Sequence, residues 1–261
     1  IHALRLAALR AGAGVEVVRS LPLRAARIPY AAVIHGDEVV VDYFSENRLE
    51  AYRWLGPDVG LNYLGEHVLP NPRPLGLSAL MVRDGRLWAA ASGIRCLARR
   101  CPKETSPEPH VFAFHLDRDP VGALAADLRP ANANAAGLYL HVETGASFVL
   151  NAGDYRAGYS SIQRIHPDGR LGPEVFLARN AGAARAFPLD SKTALILQFS
   201  GEHGIVFDVA RDRVLAILRF DGTRFAPLEL GRAALSERFK SDLQDVLADP
   251  AAPGRFFIVD S

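Results

Sequence analysis

Cysteine, methionine and tryptophan are scarce in this chain, with two, one and two residues among 261. Two cysteines exclude a disulfide-rich secreted scaffold. Cys96 and Cys101 read as ordinary thiols or as one small loop-closing disulfide, and with no His or acidic partner nearby they make a poor zinc site. A cytoplasmic location follows from free thiols, and secretion from a disulfide. Charge of one sign is also missing, since 30 Lys and Arg face 29 Asp and Glu for a net +1. That balance gives no basis for bulk attraction to nucleic acid or to a membrane surface. No apolar run reaches the ~18–20 residues of a membrane-spanning helix. Also absent are the G-x-S-x-G elbow, the H-E-x-x-H zinc spacing, a Walker-type loop, the G-x-G-x-x-G fingerprint and the WD40 signature. These absences remove the common hydrolase, zinc-protease and nucleotide-binding readings, and no cofactor is expected.

What the chain does have is apolar residues at 49%, 22 Gly, and a recurring order of short strands and turns. The clearest unit lies between Asn132 and Pro173. Gly137 to Val142 alternates as a strand, and Glu143 to Ala146 forms a turn. Ser147 to Asn151 is a compact apolar strand, followed by a loop from Ala152 to Tyr159. Ser160 to His166 is a third strand, Pro167-Asp168-Gly169 a tight turn, and a short fourth strand follows Gly172. This is the element order of one β-propeller blade.

The order recurs. One copy runs through strands at Ala31 to Ile34, Val39 to Val41, Leu49 to Trp54 and Leu61 to Leu64. Another takes Leu77 to Val82, Leu87 to Ala91 and, after a long excursion, Val111 to Leu116. A third takes Phe187 to Leu189, Ala194 to Phe199, Ile205 to Val209 and Val214 to Phe220. The first turns fall at Gly36, Gly85, Gly145 and Lys192, roughly a blade period apart. Ile1 to Leu21 reads as a helix by propensity or as a hairpin by its Ala-Gly-Ala-Gly break, and the repeat favours two strands. Near the C-terminus a short helix is expected at Leu235 to Phe239, then strands at Asp242 to Leu247 and Phe256 to Val259.

The expected fold is therefore an all-β, single-domain β-propeller of five blades. Its approximate blades are 240–261 with 1–22, then 28–70, 75–129, 132–180 and 184–230. Pairing N-terminal with C-terminal strands in one blade would close the ring and leave no bare sheet edge.

The stretch SFVLNAGDYRAGYSSIQRIHPDGRLGP resembles a blade of the lactonase-type propeller family, which includes 6-phosphogluconolactonase-like proteins and carboxymuconate-lactonizing cyclases. The likeness extends over Leu77 to Ile205. It implies hydrolase (lactonase) or cyclase/isomerase chemistry on a small molecule. Two features depart from the family: five blades instead of the usual seven, and Ala183-Ala184-Arg185-Ala186-Phe187 where a His-Pro-His-like run often leads into a blade.

In a propeller, the loops leading into first strands and those joining second to third strands share one face, where loops on a rigid frame are free to carry function. Arg27, Arg73, Asn134 and Arg185 lie on the lead-in side, and Tyr43 and Asn151 on the second-to-third side. A ring of guanidinium groups there suits a carboxylate or phosphate, so a small anionic molecule is the expected partner. Glu202 with His203 is the leading acid–base pair, set against a plain polar turn, and Asp154 with Tyr155 is the second. A metal-dependent variant would have to draw on Asp42, Glu46, Asp154 and Glu202, and no metal site is expected. A non-catalytic propeller that binds a small ligand or a protein partner is the alternative.

Overall fold

A computed structural model describes residues 2–4, 17–20, 29–44, 46–56, 58–69, 75–93, 108–116, 122–153, 159–179, 182–198, 203–220, 225–227, 243–248 and 256–260. All regular elements in these residues are strands, and none is a helix long and apolar enough to cross a membrane. The first strands are β1 (His2–Leu4) and β2 (Val17–Ser20), an antiparallel pair, as the hairpin reading of the N-terminus expects. A four-stranded sheet follows: β3 (Ala32–His35), β4 (Glu38–Tyr43), β5 (Arg48–Trp54) and β6 (Leu61–Val68). The next comprises β7 (Leu77–Arg83), β8 (Arg86–Ala91), β9 (His110–His115) and β10 (Leu124–Leu128). The third comprises β11 (Ala135–His141), β12 (Ala146–Asn151), β13 (Tyr159–Ile165) and β14 (Leu171–Arg179). The fourth has five strands: β15 (Ala183–Pro188), β16 (Thr193–Gln198), β17 (His203–Asp208), β18 (Arg213–Phe220) and β19 (Phe225–Pro227). The last pair is β20 (Leu243–Ala248) and β21 (Phe256–Asp260). The helix expected at 235–239 and both cysteines lie outside the described residues.

Local chemistry accounts for the turns. Asp84 and Gly85 both take positive φ, 51° and 68°, as a two-residue hairpin turn with the natural strand twist requires. Lys192 occupies the equivalent region of the fourth sheet without a glycine. There Asp190 Oδ1 accepts from the backbone N–H of Lys192 (2.7 Å) and Thr193 (2.8 Å), so a side chain shapes the turn instead.

Second strands are buried on both faces. All six residues of β12 are buried, as are the last five of β4, β8 and β16, which explains why these strands read as unbroken apolar runs. The sheets stack face to face through alternate residues. Phe148 and Leu150 pack with Ile196, Ile205 and Phe207 of the fourth sheet, Phe148 meeting Phe207 edge-on at 5.6 Å. Val149 and Ile165 point the other way, to Met81, Trp88 and Ala90 of the second. Leu87, Ala89 and Phe114 then pack on Val40 and Leu49 of the first. First strands lie side by side in the order β3, β7, β11, β15, and β20 neighbours β15.

Several strands differ from expectation, among them β6, which runs to Val68 instead of ending at Leu64, and β19, which has no counterpart in the expected set. β14 runs for nine residues instead of being short, because it follows β13 from Ile165–Leu171 to Tyr159–Arg179 with register shifts that absorb the twist. β15 begins at Ala183, four residues before Phe187, because Ala183 and Arg185 pair with Gln198 and Leu197. Among the described residues, β1–β2 and β20–β21 stand as separate two-stranded sheets.

Candidate functional site

One register feature repeats at the start of the first strands. Leu77 pairs with Ala91, Ala135 with Asn151, and Ala183 with Gln198; the next residue is skipped, and pairing resumes at Ala79–Ala90, Gly137–Leu150 and Arg185–Leu197. Such a bulge bends the strand and re-aims its side chains. β20 and β21 share it, with Leu243 opposite Asp260 and Asp245 opposite Val259. The register position at the end of the second strand thus holds Ala91, Asn151, Gln198 and Asp260.

Asn151 and Gln198 are fully buried there. Asn151 Nδ2 donates to Ser161 Oγ (3.3 Å), and Gln198 Nε2 reaches across to the neighbouring sheet and donates to Ser160 Oγ (3.1 Å). Ser160 in turn donates to the Ala178 carbonyl (3.3 Å). The amide oxygens Asn151 Oδ1 and Gln198 Oε1 have no partner among the described residues. A buried acceptor left unused costs about 1–3 kcal/mol, so both retain capacity for a donor. Asn134, at φ 60°, is nearly buried, and its carbonyl accepts from the Ala152 N–H (2.8 Å), tying the lead-in of β11 to the end of β12.

Asp42, near the end of β4, is the most unusual titratable group. It is fully buried, its Oδ1 accepts from the Ala31 N–H at 2.6 Å, and its Oδ2 has no hydrogen-bond partner among the described residues. Burial pushes the carboxyl up to about 7, against the opposing pull of the Ala31 and Tyr30 N–H groups and the positive charge of Arg185. Arg185 lies within β15, exposed, with Nη1 donating to the Ala184 carbonyl at 3.3 Å. Asp42 and Arg185 therefore sense each other's charge although they belong to the first and fourth sheets.

The remaining predicted residues divide in two. His203 opens β17, half-buried and opposite Arg219. Tyr43 is fully buried, its hydroxyl donating to Glu50 Oε2 at 2.6 Å, where Tyr52 also donates. Arg27, Arg73, Asp154, Tyr155 and Glu202 lie outside the described residues. From the sequence, Asp42 is offered only as an acid for a metal-dependent variant. The signal that singles it out is a carboxylate set between the apolar runs Val39-Val40-Val41 and Tyr43-Phe44, a placement that is costly unless the group is neutral or paired. Among the described residues no three His, Cys, Asp or Glu side chains gather closely enough to hold a metal ion.

No protein-family model and no curated protein sequence matches the chain. Solved structures do. Virginiamycin B lyase from Staphylococcus aureus superposes with a TM-score of 0.51 and 12% identity, over 78% of this chain and 67% of that one. Kuenenia stuttgartiensis hydrazine synthase gives 0.55 and 13%, over 83% and 50%. YCF48, solved with a peptide bound, gives 0.55 and 8%, over 95% and 66%. The fold is that of a β-propeller. The chain spans half to two thirds of the length of these proteins, and enzymes and non-catalytic proteins share the architecture, so the likeness is one of fold.

Proposed function

We propose that this propeller has five blades, with β20–β21 and β1–β2 as inner and outer halves of the fifth, and that it binds a small anionic molecule at the face where second strands end. The shared bulge of β20–β21 and its place beside β15 support the blade count. Arg185 is the anchor for a carboxylate or phosphate. Asp42 is the proton-exchanging group of the same face, and the reaction is lactone hydrolysis or a cyclase/isomerase step, in keeping with the lactonase-type resemblance.

The observation that carries this reading is a buried carboxyl held near neutrality within the field of an exposed arginine. A group that titrates near the working pH is suited to move a proton. An anion on Arg185 would cancel the charge that favours ionised Asp42, so binding should be accompanied by proton uptake between pH 6 and 8, roughly the window around that titration.

The non-catalytic reading rests on a different observation. Asp42, Asn151 and Gln198 are fully buried, whereas Arg185 is exposed and His203 half-buried on this face.

A thermal-shift screen of sugar lactones, muconates and phosphorylated acids tests the binding, and product analysis on any hit separates the two readings. A ligand at 100 times its Kd adds about 2.7 kcal/mol, a shift of several degrees. Arg185→Gln should abolish it. If no anionic compound moves Tm, or Arg185→Gln leaves the shift intact, the proposal fails.

A further inference from the structure

The opposite face, where the tight turns lie, carries a second concentration of donors. A recess of about 190 Å³ opens between the second and third blades, lined by Arg83, Asp84, Arg86, Trp88, His166 and Pro167. It is smaller than the ~300–1,000 Å³ typical of drug-sized ligands, so it suits a small ion or a group attached by a narrow stem.

Its lining holds donors that have no partner among the described residues. Arg86, at the start of β8, makes no ion pair or side-chain hydrogen bond among the described residues. The ring nitrogens of His166 make no hydrogen bond among them either. Trp88 is 3% exposed, yet its indole Nε1–H has no acceptor among the described residues. A buried N–H without a partner is costly and uncommon, and this one belongs to a side chain that walls the recess. The sole acid, Asp84, is committed to Arg83 Nε at 2.9 Å. Arg83 is itself fixed across the blade boundary, with Nη1 donating to Ser147 Oγ and to the Ile165 carbonyl. That leaves two guanidinium groups against one carboxylate in the lining, with an imidazole beside them.

We propose that this recess is an oxyanion site, taking a free phosphate or the phosphate group of a small ester, with Arg86 as the principal ligand, the His166 ring beside it and Trp88 as an apolar wall. Arg83 supplies charge and, through Ser147 and Ile165, holds the second and third blades at the spacing the anion needs. The site is separate from the Arg185 face and does not depend on it.

The test uses inorganic phosphate at constant ionic strength with chloride as the replaced ion. In a Trp54→Phe background Trp88 is the sole tryptophan, so its emission should change saturably in the millimolar range. Arg86→Gln should weaken binding about tenfold, and Arg86→Lys should restore it partly, because a point charge replaces a planar fork. Arg185→Gln should leave the Trp88 response unchanged, which keeps this site distinct from the mouth. Glycerol phosphate matching inorganic phosphate would assign the ester form, and preference for the free ion would assign the other. No saturable Trp88 response in a protein of unchanged Tm, or equal affinity in Arg86→Gln, would overturn the proposal.

Discussion

Arg164, in the third strand of one blade, holds Asp212, in the last turn of the next, through Nε–Oδ2 and Nη2–Oδ1 contacts of 2.9 and 2.6 Å. The same guanidinium donates to the Val209 carbonyl and lies 4.7 Å from the centre of the Phe148 ring. Both side chains are less than a third exposed, so the pair is screened less than a surface bridge. Asp212 also takes φ 51°, which Asn tolerates and Ala resists. Asp212→Asn should therefore lose about 1 kcal/mol and Asp212→Ala about 2–3 kcal/mol. A double-mutant cycle with Arg164→Met should give a coupling of about 1–2 kcal/mol that shrinks in high salt. Zero coupling would reduce the contact to a surface ornament.

Gly137 in β11 is required for space, not for backbone freedom. A Cβ on it would overlap the carbonyl oxygen of Ala184, the bulged residue of the neighbouring first strand, and would stand 3.1 Å from Leu150 Cδ1. Backbone does not yield as a flexible side chain does. Gly137→Ala should cost about 1–3 kcal/mol, visible as a Tm lower by several degrees in calorimetry. An unchanged Tm would mean that the first strands are free to separate.

The repeat was legible because turns and two-sided burial leave local marks. Asp84-Gly85 marks a hairpin by conformation, and the apolar runs of β8, β12 and β16 mark strands covered on both faces. Strand limits were less legible where pairing, not propensity, decides them. Ala183-Ala184-Arg185 has little strand character, yet β15 begins there because β16 offers partners. This moves Arg185 from a lead-in loop into a strand. The fifth strand β19 was unforeseen for the same reason, since three residues have no period of their own. Asp42 could not be separated from its loop neighbours by composition, because what distinguishes it is complete burial and the field of a residue 143 positions away (185 − 42).

Tyr43 and Glu50 offer a test of packing against binding. Both are buried, and Glu50 accepts from the hydroxyls of Tyr43 and Tyr52. Burial, with the hydrogen bonds to Glu50 and Tyr52 adding to it, pushes the Tyr43 phenol far above its ordinary value, so it stays a donor across the usable pH range. Tyr43→Phe should cost about 1.5–3 kcal/mol by taking a donor from a buried carboxylate. If Tyr43 serves packing alone, any anion-induced Tm shift should persist unchanged in that variant. A lost shift at intact stability would instead return Tyr43 to the ligand.

Asp42 should give the fold a distinctive pH profile. Its carboxyl titrates near 3.8 in the unfolded chain and at about 7 in the folded protein. Between those values the native state binds the extra proton, so stability is greatest below about pH 4 as far as this group is concerned, and falls as pH rises toward 7. Three pH units of separation correspond to a change on the order of 4 kcal/mol. Asp168 and Asp190 act in the opposite sense and in another window. The hydrogen bond from Arg170 and the backbone N–H of Lys192, respectively, hold them below the ordinary value, so their contributions are lost only as pH falls under 3.8. Chemical denaturation from pH 4.5 to 8.5 therefore covers the Asp42 window and lies above that of Asp168 and Asp190. Asp42→Asn, which keeps an acceptor for the Ala31 N–H, should flatten that part of the profile and leave the variant more stable than the parent at pH 8. Arg185→Gln should do the reverse, since removing the charge that favours the ionised form moves the descent to higher pH. A profile that rises through this range in the parent, or one unchanged by Asp42→Asn, would show that Asp42 is ionised at neutral pH and would remove the proton-exchanging group from the proposed site.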